Sequence, residues 1–454
     1  MPYLIACALL TLGPADELRA ALGDLERLPV HERTVVRYAS FYAMPPERRR
    51  EAAAVLSFVL NTVSQSPVIV DLEEVPGTEQ RLWRVRWDRY GQARDDWERL
   101  ASEDPYWHQR LALKHGKQSG AKEVFIDGPW LPAELAAQLR AETDSAGAVL
   151  RGDFLIARIS TTLDGGHYYR LARIAETEGA FLRDLGIDAK AIGKLSADAG
   201  ANLIHSRVTH QVRRIVRRPG PLGGAWHTYD VESSTAERDP LRNPFSFQFD
   251  AGEHIAAGPN GLHRFALYDA RGKRQDSVPD RIAKDTTDPH GVGIIAPMIS
   301  CVRCHVEDGL RPFANDQQRL LGGDVDLLTA RPRDAERLAD FYGADLERWL
   351  RRDREDYAVQ VARAAHGLSV RTTASALGRL YSEYVDDLVT TDQAARELGV
   401  ESAAFISAAR KSNDPALLAL AEGIAVQREQ WIASFATAAM STPGCVDQPP
   451  SLSK

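Results

Sequence analysis

Two cysteines separated by two residues, with a histidine directly after them, are the residues of this chain whose spacing points most clearly to chemistry: Cys301-Val302-Arg303-Cys304-His305. Thiols at this separation can add across the two vinyl groups of a haem, and the adjacent imidazole can take an axial site on its iron. With four cysteines and twelve histidines in 454 residues, random placement yields the pattern on the order of one time in a thousand. Two other readings compete. Half of a zinc site needs two more Cys or His ligands at similar spacing, and the chain has no second cysteine pair. A thioredoxin-like redox pair needs a strand-to-helix βαβ setting, which this region lacks. One covalent haem c is therefore expected, with Cys301 and Cys304 as its attachment points and His305 as the proximal ligand to its iron.

The opposite axial position is open to several residues. No methionine lies between His305 and Met440, and His366 is the only histidine after the motif. Upstream stand His205, His210, His227, His254, His263 and Met298, and the position can also lack a protein ligand. A methionine raises the potential relative to a second histidine, whereas an open position permits ligand chemistry. Histidines outnumber methionines, which favours an upstream histidine such as His210 or His227.

Close by, Gln211-Val212-Arg213-Arg214-Ile215-Val216-Arg217-Arg218 carries four arginines. Read as a helix, it sets Arg213 with Arg217 and Arg214 with Arg218 on shared faces. Such guanidinium groups suit haem propionates. The plainer reading is a solvated basic face paired to nearby acids.

The elements that must position these residues read as α+β, predominantly helical. An N-terminal mixed α/β domain is expected over 15–122. Pro46 opens a helix there, with Val55, Leu56, Val59, Leu60 and Val63 on one face. Val68-Ile69-Val70 and Leu82 to Trp87 read as strands, and the aromatic residues from Trp83 to Tyr90 as core. The haem-bearing central domain spans 123–325. In it Phe154 to Ile159 reads as a strand, followed by helical stretches through about Arg218. Pro219 to Gly224 is a chain breaker. A small antiparallel β-unit then precedes the motif: Trp226 to Val231, Phe245 to Phe249, and a hairpin turning at Pro259-Asn260-Gly261. A helical domain is expected over 326–441, with Gly399 and Gly423 as caps, and a tail over 442–454.

Composition is that of an ordinary folded protein, 44% hydrophobic and 26% charged, with a formal net charge of -7 that gives no support for nucleic acid or an anionic membrane as partner. No apolar run approaches the roughly 20 residues that span a bilayer. Four cysteines are too few for a disulfide scaffold. The first residues, 1–14, resemble the back half of a secretory signal, and Leu4-Ile5-Ala6-Cys7 loosely fits a lipoprotein box with Cys7 lipidated. A buried first element, or a disulfide between Cys7 and Cys445, is the alternative.

Several stretches taken in order carry a resemblance: Trp226 to Val231, Arg242-Asn243-Pro244-Phe245, Gly252-Glu253, Pro259 to Leu262, and Ile299 to His305. They are similar to the large c-type cytochrome-domain proteins of planctomycetes and some other bacteria. Arg37 to Tyr42 and Tyr384 to Val400 also look similar to those proteins. The resemblance implies an exported protein that binds haem and transfers electrons, without naming a reaction. Only Cys301, Cys304 and His305 carry over as functional residues. That family tends to have Asn-Gly just before Ile-Ser-Cys, where this chain has Pro297-Met298.

The expected function is thus an exported monohaem cytochrome that moves single electrons between redox partner proteins, periplasmic or lipid-anchored. A haem enzyme with an open iron site, peroxidase- or reductase-like, is the alternative. A third class comes from Thr391 to Ser402, which reads like the turn of a DNA-binding helix-turn-helix. Its second helix has Arg410 and Lys411 only at its end and acidic neighbours, so it lacks the basic face that phosphates require.

Overall fold

The structure is a computed structural model and describes residues 13–443 apart from 114–121, 129, 188–198, 205, 207, 210, 234, 241–242, 244–247, 279–281, 289–292, 317–341 and 343–344. Its fold is mixed α+β, with helix the larger share. The chain divides into two units. Met1–Ala53, Leu72–Leu155 and Leu380–Lys454 form the first, and Ala54–Asp71 with Ile156–Arg379 the second. No described helix is long and apolar enough to cross a membrane.

The first unit holds strands β1 (Val36–Ser40), β2 (Glu73–Glu74), β3 (Leu82–Arg86), β4 (His108–Leu113), β5 (Lys122–Asp127) and β6 (Val149–Arg151). One sheet runs β2-β3-β1-β6, and β4 pairs with β5 alone. β1 is antiparallel to β3 and parallel to β6, and every residue of β1 is buried. Trp83, Trp87 and Tyr90 are buried, as the aromatic run predicts. The C-terminal helices Thr391–Leu398, Ser402–Ala409, Pro415–Ala421 and Arg428–Ser441 enclose Phe405, Trp431 and Phe435. Gly399 caps the first of them at φ 72°, the left-handed geometry expected of it. The pair Thr391–Leu398 and Ser402–Ala409 is a tight helical hairpin whose second helix buries Phe405, Ala408 and Ala409.

In the second unit a five-stranded antiparallel sheet runs β11-β10-β9-β8-β7, where β7 is Ala199–Leu203, β8 Arg213–Gly220, β9 Gly223–Tyr229, β10 Ala251–Ala257 and β11 His263–Asp269. The expected hairpin is present as β10 and β11, closed by Gly258 N–H donating to the Leu262 carbonyl at 2.8 Å. Only Gly261 takes a positive φ there, at 82°. Asn260 instead uses its side chain, accepting from Leu262 N–H and donating to the Asn61 carbonyl.

Four local expectations differ from the structure. Phe154 to Ile159 lies in the helix Gly152–Ile159, not a strand. Phe154, Leu155, Ile156, Ala157 and Ile159 are all buried, and a short apolar run buried on every side carries no period to separate helix from strand. Arg213 to Arg218 is strand β8, not helix, because the run alternates across a sheet with partners on both faces. Its four arginines are buried rather than solvated. Val68 to Val70 forms no strand. The Asn61 amide takes the place of a neighbouring strand, donating to the Val70 carbonyl at 2.9 Å and accepting its N–H at 2.8 Å. Residues 245–247 of the expected strand Phe245 to Phe249 lie outside the described residues, as do 1–12 with Cys7, and Cys445.

Candidate cofactor site

The motif folds as a short helix, Ile299–Cys304, with His305 at its C-terminal cap. Ile299 and Val302 are buried and hold the helix against the protein. Cys301 and Cys304 have the same three-residue spacing on the next face, which sets their Cβ atoms roughly 5–6 Å apart. Ser300 fixes the start of the helix by accepting from Ala296 N–H at 3.0 Å. Arg303 ties it to Asp285 at 2.9 Å. At its N-cap Met298 is fully buried with φ 70° and ψ -70°, a conformation that glycine would adopt without strain.

Cys301, Cys304 and His305 open onto one cavity of about 510 Å³, within the roughly 300–1,000 Å³ of cofactor sites. The sheet supplies the facing wall. Register and alternation put Arg213, Ile215, Trp226, Thr228, Glu253 and Ile255 on its cavity side. Arg213 pairs with Asp230 through two bonds of 2.6 and 2.7 Å and reaches Glu253 at 3.4 Å. Burial pushes the Glu253 carboxyl up against the opposing pull of Arg213. Arg217, on the same sheet face, forks onto Asp353 of the helix Leu346–Ala364 at 2.7 and 2.9 Å, and Trp226 Nε1 donates to the same carboxylate. Arg214 and Arg218 turn to the other face, where Tyr342 and His227 respectively contact them.

The chemistry of the three motif residues follows from this setting. Burial, and secondarily Glu253, pushes the Cys301 thiol well above its ordinary range, and burial raises that of Cys304. Both therefore stay protonated thiols, the form that adds across a vinyl group. His305 is brought down to about 4 by burial, then by Arg311 and Arg213, so its imidazole is neutral and keeps a lone pair for a metal. Its Nδ1 is buried without a hydrogen-bond partner. Among the described residues no set of three or more His, Cys, Asp or Glu is arranged to hold a metal ion by itself. Two thiols and one neutral imidazole lining a cofactor-sized cavity are a donor set that would fit a covalently held haem.

The candidates for the second axial position are dispersed. His227 borders the cavity through its strand, but alternation sends its ring to the opposite face of the sheet, within 2.6 Å of both Arg218 and the Tyr229 hydroxyl. His254 lies on that same far face, 4.7 Å from His227 between ring centroids and 3.2 Å from Glu178. Met298 is enclosed at the start of the motif helix. His366 is exposed. His263 is buried, stacked on Tyr357, and does not line the cavity. His205 and His210 lie outside the described residues, while Ser206 and Val208 between them line the cavity.

Residues that the sequence reading did not single out complete the cavity. Arg311 follows the motif by six positions and donates from Nε to the Cys304 carbonyl. Glu253 stood in the sequence only within the stretches of the resemblance, with no role assigned to it. Comparisons with family models, with curated proteins and with solved structures find no match for this chain.

Proposed function

We propose that this chain is a monohaem c-type cytochrome, exported from the cytoplasm, that carries single electrons between redox partner proteins. The observation that carries the reading is the convergence of Cys301, Cys304 and His305 on one cofactor-sized cavity. Attachment would add each cysteine S–H across one vinyl double bond, with sulfur on one vinyl carbon, the thiol hydrogen on the other and no oxidant consumed, and the neutral His305 imidazole would hold the iron from the protein side. The haem supplies one-electron chemistry between ferric and ferrous iron. Apolar Ile215, Trp226 and Ile255 would limit water at a bound haem, and Arg213, already paired to Asp230, would offer it a cation without leaving an uncompensated charge. The wider proposal keeps a haem-bearing central region preceded by a small β-unit, and an export or lipid-anchor segment over 1–14, since this cofactor is attached outside the cytoplasm.

A second reading rests on one observation. The described side chains facing the cavity include Arg213, Arg311 and Glu253, but no histidine or methionine other than His305. An iron left with one protein ligand would suit a peroxidase- or reductase-like enzyme, with these groups stabilising charge at a bound small molecule. Optical and paramagnetic resonance spectra of the ferric protein separate the two. A low-spin six-coordinate spectrum supports the carrier, and a high-spin spectrum that shifts on adding cyanide supports the enzyme.

A further inference from the structure

Arg213, Thr228 and Glu253 meet on the cavity side of the five-stranded sheet, where β8, β9 and β10 lie side by side. The donors there are committed to Asp230, the residue after β9. Arg213 gives it two bonds of 2.6 and 2.7 Å, and the Thr228 hydroxyl gives it a third at 2.8 Å. Glu253 N–H donates to that same hydroxyl oxygen at 3.1 Å, so Thr228 has no second proton to offer the Glu253 carboxylate. What reaches this carboxylate is one contact of 3.4 Å from Arg213, and among the described residues it receives no other hydrogen bond. One cation thus serves two carboxylates, and Glu253 is the one left with the long bond and with 20% of its side chain open.

The charged groups around it are otherwise engaged. Asp285, ahead of the motif, accepts from Arg303 at 2.9 Å and from the Thr287 N–H and hydroxyl at 2.8 and 2.6 Å. Cys301 and Cys304 share the cavity with Glu253 from the motif helix, as thiols. After the motif, Arg311 is bound to the Cys304 carbonyl, Asp316 accepts from Ile204 N–H at 2.9 Å, and Glu307 lies on the same wall. Across the hairpin β11 places uncharged Leu267 opposite Glu253.

A buried carboxylate without a full partner is disfavoured in its charged form, and a proton relieves it. One electron added to a cofactor in the same cavity lowers the local charge by one and tightens the hold of a neighbouring carboxylate on a proton. We propose that Glu253 is a redox-linked proton site: it binds one proton from water when the cofactor gains one electron from a redox partner, and returns it to water when that electron leaves. The charge of the cavity is then the same in both states. This inference rests on the haem reading above and gives that site a dependence on pH. Burial pushes the carboxyl up from its ordinary 4.5 against the pull of Arg213, and Asp230 and Asp285 act in the same direction as burial.

Midpoint potentials of the haem-bearing protein, measured across pH, test the assignment. The parent potential should be level at low pH and fall as pH rises through the values of Glu253 with ferric and then ferrous iron. The fall is at most about 59 mV for each tenfold drop in proton concentration, and the potential levels again above it. Glu253→Gln, close in shape and always neutral, should match the parent at low pH and stay level, so that it lies above the parent at high pH. A merely structural loss would displace the whole curve instead. Infrared difference spectra of reduced minus oxidised parent, taken within the falling limb, should show a protonated carboxyl band that Glu253→Gln lacks. The same falling limb in both proteins would place the proton on another group, such as a haem propionate, and overturn the proposal, as would a parent potential independent of pH. A colourless protein rejects the haem reading and takes this inference with it.

Discussion

Arg311 Nε donates to the Cys304 carbonyl oxygen at 2.7 Å, so a cation of the cavity wall also caps the helix that carries both thiols. A six-residue helix has little cooperativity of its own, and its last carbonyls need outside partners.

Replacing Arg311 should therefore loosen the geometry in which the two thiols are presented. Allowing for partial exposure, the lost bond is worth about 1 kcal/mol, or about fivefold in the population of the competent arrangement. Intact mass spectrometry of Arg311→Ala should show a smaller haem-bearing fraction than the parent, with Arg311→Lys in between. Equal fractions in all three would remove Arg311 from the account.

The fork of Arg217 onto Asp353 ties β8 to the helix Leu346–Ala364 within the second unit. Asp353→Ala removes the carboxylate to which both the buried Arg217 guanidinium and the Trp226 indole N–H donate, and breaking a buried pair in this way costs about 3–5 kcal/mol. Chemical denaturation should show the loss, and tryptophan emission should report the altered surroundings of Trp226. An unfolding midpoint within error of the parent would mean that the pair is dispensable.

In the first unit Glu397 is buried between Arg151 at 2.8 Å and Arg428 at 2.7 Å, with Trp431 Nε1 also donating to it. Burial alone would raise its carboxyl. The two arginines outweigh burial and hold it at about 2, below its ordinary 4.5. A group whose folded value lies below its unfolded value stabilises the fold above the unfolded value and loses that contribution as pH falls toward the folded one. Parent stability should thus fall between about pH 4.5 and about pH 2. Glu397→Gln should be less stable at neutral pH and should lack that component of the acid loss. Parallel pH profiles for the two proteins would argue against a charged Glu397.

His227 and His254 face away from the cavity, so neither should be an iron ligand. In the haem-bearing protein, His254→Gln and His227→Gln should leave the ferric spectrum and its resonance g values unchanged, whatever they do to stability. Conversion of either variant to a high-spin spectrum would place that ring on the iron and refute the sheet register used here.

Local chemistry in the sequence went far toward the site and less far toward the fold around it. Cys301, Cys304 and His305 were legible because three fixed positions within five residues encode their own geometry. The β10–β11 hairpin was legible for the same reason, through Pro259-Asn260-Gly261. The arginines of β8 were misleading, because positions 213 and 217 share a face in a helix and in a strand alike. Only the buried partners Asp230 and Asp353, 17 and 136 positions along the chain, distinguish the two. Val68 to Val70 failed because a side-chain amide from Asn61 took over the bonds of a strand neighbour. His263 stood in the sequence as one upstream histidine among several, since its place is set by a stack on Tyr357 that no local pattern announces.

The most direct test of the central claim is the mass of the protein produced alongside a cytochrome c maturation system. The account predicts a red protein, heavier than the apoprotein by one haem, whose colour survives acid-acetone extraction and whose added mass is lost when Cys301 and Cys304 are both changed to Ala. A colourless protein of apoprotein mass, or one whose haem is extracted by acid-acetone, would contradict it.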